Sequence, residues 1–152
     1  MNLLSTEQLS ALRQTIDEAQ SIVITCHRSP DGDALGSSLA MAEYLRTLGK
    51  EVTVVIPDAY PDFLMWMPGT HEIVRYDKHP DKANMLLMIA DLIVCLDFNT
   101  LNRTGEDMEK VLHRLKIAQF VQQFQRMTML VDLLVLITLQ RRHGKRKTNF
   151  RS

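Results

Sequence analysis

Only two cysteines, Cys26 and Cys95, occur in 152 residues, and both sit inside apolar runs. That scarcity excludes a disulfide framework and reads both as buried free thiols in a reducing, cytoplasmic setting. The opening MNLLSTEQLS has no basic stretch followed by an apolar core, so no signal peptide is expected. No uninterrupted apolar run is long enough to cross a bilayer. Even FVQQFQRMTMLVDLLVLITL is broken by Asp132, and no membrane association is expected. No G-x-G-x-x-G follows the first apolar run, which argues against a dinucleotide-binding oxidoreductase. Acids are nearly missing from the end of the chain. Residues 114–152 hold nine Lys and Arg against Asp132 alone (net +8), whereas residues 1–113 hold nine against seventeen acids (net −8). A charge shift this sharp marks a boundary. It predicts an α/β domain over 1–113 and an atypical helical and basic tail over 114–152, whose last stretch, QRRHGKRKTNFRS, is expected to be disordered.

The rest of the composition is that of a globular protein, with 45% hydrophobic and 24% charged residues. Ser5 with Gln8 forms a capping box, and Leu9, Leu12 and Ile16 follow at helical spacing, which predicts a helix from Thr6 to Ala19. SIVITC is a short β-branched run and reads as a buried strand. DALGSSLAMAEYLRTLG is helical, with Gly49 as its stop. EVTVVI is a second strand, ended by Pro57; DFLMWM is a helical turn; EIVRY is a third strand. PDKANMLLMIA is a helix with Pro80 near its start and its methionines in the core. DLIVCLDF is another buried strand, and EDMEKVLHRL is a helix that begins with acids, as the macrodipole favours. Continuous apolar strands alternating with helices predict an α/β fold: a doubly wound, mainly parallel sheet with helices on both faces. In such sheets ligands bind beyond the carboxyl ends of strands, and this brings His27 and Asp97 toward one crevice.

The chemistry concentrates in SIVITCHRSPDGDALGSS, which places His27, Asp31 and Asp33 just after a strand. Two carboxylates and an imidazole suit manganese, and also magnesium or iron(II), better than a structural zinc. Side chains at i and i+2 in a tight turn can face one cavity, so Asp31 and Asp33 can each serve a different ion about 3.5–4 Å apart, with Asp97 as the bridge. ALGSS adds small residues at a helix N-terminus, where a phosphate can approach backbone N–H groups. The plainer reading stands beside this one, since an Asp-Gly is commonly a turn and an Asp before a helix commonly a cap. His71, His79 and His113 read as solvated. Trp66 with Met65 and Met67 reads as an apolar lid or core patch, or as an interface patch.

HRSPDGDALGSSLAM closely resembles the first motif of the DHH phosphoesterase family, roughly H-x-x-P-D-x-D-x-x-G, and IVCLDFN looks like the second, a strand ending in Asp. The resemblance covers about residues 5–113 and looks most like the bacterial nanoRNA-hydrolase and phosphoadenosine-phosphate phosphatase branch. It implies a cytoplasmic, two-manganese phosphoesterase, with magnesium as a substitute, acting on nucleotides or short single-stranded RNA. By motif position, His27 and Asp31 would bind the first ion, Asp33 the second, and Asp97 would bridge them. Arg103, just after the second motif, is a candidate phosphate contact; a solvated side chain is the plainer reading.

The sequence then departs from that family. No His-His pair occurs anywhere; MLVDLL offers Asp132, with Leu133 and Leu134 where histidines would stand. A fourth, aspartate-bearing motif and the smaller C-terminal domain are also not found. The motif loss coincides with the charge boundary, which suggests a truncation or a reading-frame change near residues 113–121. The expected outcome is binding of one manganese ion or none, with little turnover. The alternative is a non-catalytic metal- or nucleotide-binding α/β module. An open sheet edge, where the family's next strand would pair, would favour homo-oligomers.

Overall fold

The computed structural model describes residues 5–115 and the backbone of 138–141. Its order is α1 (Thr6–Glu18), β1 (Ser21–Thr25), α2 (Gly32–Thr47), β2 (Glu51–Ile56), β3 (Val74–Arg75), α3 (Pro80–Ile89), β4 (Leu92–Cys95), α4 (Glu106–Arg114) and β5 (Thr138–Arg141). The strands lie in the order β3-β2-β1-β4-β5. The first four are mutually parallel, with Ile22 opposite both Val52 and Leu92, and Val55 opposite Val74. The predicted α/β class with its parallel sheet is what the chain adopts. β5 pairs antiparallel with β4, Cys95 opposite Thr138.

Strand alternation sorts the core into two layers. Ile22, Ile24, Val52, Val54, Ile56, Leu92 and Val94 face α2, where Ala34, Ala42 and Leu45 meet them, and Ile16 of α1 packs onto the same cluster. Val23, Val55, Ile93 and Cys95 face the opposite way, onto Ala83 and Leu87 of α3 and Met108, Val111 and Leu112 of α4. The strands β1, β2 and β4 are buried on both faces, which is why they read as continuous apolar runs rather than as alternations.

The helix boundaries follow local chemistry. Ser5 and Gln8 form the reciprocal capping box at the start of α1. α2 stops before Gly49, whose left-handed backbone (φ +77°) turns the Lys50 N–H back to the Leu45 carbonyl, while its own N–H donates to the Arg46 carbonyl. The Asp91 carboxylate accepts from the N–H groups of Gln20 and Ser21, which ties the start of β1 to the start of β4. No helix among the described residues is long and apolar enough to cross a membrane.

Several expectations need correction. Met85 and Met88 are not core; they are 54% and 53% exposed, beside an equally exposed Ile89. A ten-residue helix lying on a sheet buries one stripe, here Ala83 and Leu87 at i and i+4 with Leu86 half-buried beside them, and Met85, Met88 and Ile89 face outward. Trp66 and Met65 are exposed as well, which removes the core reading of that patch. The third strand shrinks from EIVRY to two residues at the sheet edge. The β4 edge, expected to be open, is covered by β5, and Gln140 and Arg141, at the head of the tail expected to be disordered, belong to that strand. Asp132 and the rest of the tail lie outside the described residues.

Candidate metal centre

The chain leaves β1, builds β2 and β3 on one side of it, then crosses back to place β4 on the other side. The crevice between β1 and β4 is therefore the topological switch point of the sheet, the position from which open α/β sheets present ligand sites. His27 lies two residues beyond β1, and Asp97 two residues beyond β4. The Leu96 N–H donates to the Thr25 carbonyl at 2.8 Å, extending the β1–β4 ladder by one rung and delivering both side chains to the same level. Asp97 sits in left-handed backbone, φ +61°. Aspartate tolerates that conformation better than most residues, and such positions gather at functional sites.

His27 is 6% exposed. Its Nδ1 is 2.8 Å from the Arg28 carbonyl oxygen, which can only accept, so Nδ1 carries the proton in that bond. Nε2 then offers a lone pair, and it lies 3.4 Å from Asp97 Oδ2. Two acceptors held face to face call for a proton or a cation between them.

Asp31 completes the group. It is the N-cap of α2, and its Oδ1 accepts from the backbone N–H of Asp33 (3.1 Å) and of Ala34 (3.0 Å). The Ala34 bond above all, then the nearby His27, hold its carboxyl below the usual aspartate range. One ligand atom from each of His27, Asp31 and Asp97 falls within 4.8 Å of the other two. The three donors lie close enough together that His27, Asp31 and Asp97 would hold a single divalent cation between them. The donor set, an imidazole and two carboxylates in the crevice, thus fits a cation of the manganese or magnesium class.

Asp33 does not join this trio. It is the second residue of α2, exposed, and only its backbone N–H turns toward Asp31. Arg103 sits in a short helical turn, Leu101–Thr104, with an exposed side chain; its carbonyl accepts from the Arg28 N–H at 2.8 Å, so it borders the ligand loop through the backbone. His71, His79 and His113 are exposed and far from the trio in sequence, and His71 and His113 lie against Glu72 and Glu109. Cys26 is fully buried behind the ligand loop. Burial pushes its thiol up to about 12, with a smaller push from the Asp97, Asp58 and Asp31 carboxylates.

Asp58 is the site residue that sequence reasoning passed over. It follows β2, and its carboxylate accepts from the Ser29 N–H in a short bond and from the Ser29 hydroxyl at 3.4 Å. The signal was available: like Asp97, it is an acid just past the carboxyl end of a parallel strand, but it stands behind Pro57, which reads only as a strand terminator.

The fold and the trio define an α/β domain that gathers an imidazole and two carboxylates at its switch point. The sequence profile of the DHH family, N-terminal domain, matches residues 21–122, and the chain belongs to that family. It is also similar to a crystal structure of an exopolyphosphatase-related protein from Bacteroides fragilis, with 41% sequence identity and a TM-score of 0.71. That match covers 74% of this chain and 33% of the other, so this chain spans about a third of the length of that relative.

Proposed function

We propose that this chain is a manganese-binding phosphoesterase domain whose substrates are phosphate esters of nucleotides or short oligonucleotides, with magnesium as a substitute ion. The observation that carries the reading is the convergence of one donor atom each from His27, Asp31 and Asp97 within 4.8 Å at the β1–β4 switch point. A bound ion would polarise a phosphoryl oxygen and make a water acidic there. The chain's own residues do the rest. The Arg28 carbonyl fixes the His27 tautomer, and the Asp31 cap locks the ligand loop onto α2. The exposed Arg28 and Arg103, whose backbones are bonded, supply positive charge beside a phosphate. The nucleobase part of the reading is supported by Phe63 and Trp66, each 75% exposed in a segment whose Leu64 side chain lies against Gly32, the residue after Asp31. Exposed aromatic faces stack bases irrespective of sequence.

Asp33, and whatever ligands accompany it, would hold a second ion. No adjacent pair of histidines occurs in the 152 residues to complete such a set, so one ion and little turnover are expected. Losing even outer partners of a metal site costs about 10–100-fold in affinity or activity.

The test is a manganese titration of the wild type, H27A and D97A, read by electron paramagnetic resonance. Hydrolysis of a short RNA, phosphoadenosine phosphate and inorganic polyphosphate is assayed alongside, the last because of the Bacteroides relative. One weak site in the wild type, lost in both variants, supports the reading, whereas binding unchanged in both variants removes it. Robust turnover would overturn the expected impairment. Metal binding with no hydrolysis of any of the three favours the second reading, a non-catalytic metal- or nucleotide-binding module.

A further inference from the structure

We propose that Asp58 is a positioning residue whose carboxylate clamps the Arg28-Ser29-Pro30 loop so that His27 and Asp31 face the same cation. The inference rests on the metal reading above but concerns a residue outside the ligand trio. Three residues separate the two ligands, and the middle one, Ser29, has φ +50°. Residues other than Gly, Asn and Asp avoid that left-handed backbone, and it persists only where the surroundings impose it. Pro30 fixes its own φ and narrows the choices of Ser29 further.

Two restraints act on this loop from other strands. The Arg103 carbonyl, from the segment after β4, takes the Arg28 N–H. Asp58, from the segment after β2, takes the Ser29 N–H on Oδ1 and reaches the Ser29 hydroxyl with Oδ2. The loop is thus pinned from both neighbours of β1, one pin per side. Without Asp58, nothing else described bonds the Ser29 N–H. Ser29 would relax toward negative φ and swing Asp31 away from His27, since the backbone between them is short. A divalent ion is exacting about ligand separation, so the loss falls on affinity before it falls on folding.

The experiment compares wild type, D58A, D58N and D58A combined with S29G. Manganese affinity and stoichiometry are read by paramagnetic resonance. Melting temperature and Ser29 amide hydrogen exchange are measured on metal-free protein. D58A is expected to weaken manganese binding by about 10–100-fold, the range typical of partners behind metal ligands, with a nearly unchanged melting temperature and a Ser29 amide that exchanges faster. D58N keeps one oxygen to accept the Ser29 N–H and recovers part of the affinity. Adding S29G to D58A also recovers part, because glycine adopts φ +50° without the clamp; a merely structural role for Asp58 would not respond to that change. Wild-type affinity in D58A overturns the proposal. So does a lost ion rather than a weakened one, which would make Asp58 a ligand, and so does a double variant no better than D58A. Should D58A fail to fold, D58L, which fills the space but offers no acceptor to the Ser29 N–H, carries the test, and binding and Ser29 exchange both equal to wild type overturn it. If the wild type binds no manganese, the metal reading fails, whereas the metal-free exchange of Ser29 judges the clamp separately: rapid exchange in the wild type removes it.

Discussion

Asp31 serves the helix and the cation site at once, and substitutions can separate the two roles. The described hydrogen bonds to its carboxylate all fall on Oδ1, from Asp33 and Ala34. D31N keeps an oxygen for the cap, and asparagine caps as well as aspartate. At neutral pH D31N is therefore expected to keep the capped helix and to lose only the stability that the carboxylate's charge adds, less than D31A loses. It should still bind manganese far more weakly. D31A loses both and should cost about 0.5–2 kcal/mol of stability as well; paired calorimetry and manganese titration check both variants. The pH dependence follows from the same bonds. The folded carboxyl titrates below its ordinary value of 3.8, so ionised Asp31 stabilises the native state above the unfolded-state pKa. That contribution is lost as pH falls through the lower, folded value. Acid melting of metal-free D31N should accordingly lack the part of the wild type's pH slope that develops below about pH 4. Of these residue-level facts, the sequence disclosed the residue types and their order. It did not disclose the left-handed backbone of Ser29 and Asp97, nor the reach of Asp58 to Ser29, because both depend on strands adjacent in space and distant in sequence.

At the scale of the element, strands were more legible than the orientation of helices. EVTVVI and SIVIT stand where β-branched runs bounded by turn residues put them. The buried side of α3 was not legible. NMLLMIA is apolar nearly all round, so periodicity cannot say which residues meet the sheet. The observed stripe makes a sharp contrast testable. Leu87 is 1% exposed and Met88 53%. L87A is expected to destabilise by about 2–5 kcal/mol, the range for a large aliphatic side chain deleted from a core. M88A, one residue away, should stay within about 0.5 kcal/mol. Urea unfolding of both variants settles it, and equal losses would reverse the assigned face. β3 was over-read for a related reason: EIVRY has strand composition throughout, yet only Val74 and Arg75 pair as strand with β2, and Tyr76 adds one further N–H bond to the Ile56 carbonyl.

For the whole molecule, the alternation of elements was enough to expect a doubly wound sheet, and the handedness and crossover rules of such sheets put His27 and Asp97 at one crevice. The antiparallel β5 could not be foreseen, since its pairing spans more than forty residues beyond β4 and its sequence, Thr138–Arg141, has one apolar residue in four. The two core layers carry a last consequence. Cys26 belongs to the layer under α2, and Cys95 to the layer under α3 and α4. Both are fully buried, and burial holds both thiols near 12. As the chain's only cysteines, they act as a matched pair of clocks, one per layer, and an alkylating reagent reaches each only when its own layer opens. Because one shared sheet separates the layers, doubly labelled protein should accumulate in a single phase, without a singly labelled species, when the mass is followed through the unfolding transition. A persistent singly labelled species would mean that one side of the sheet sheds its helices while the other keeps them.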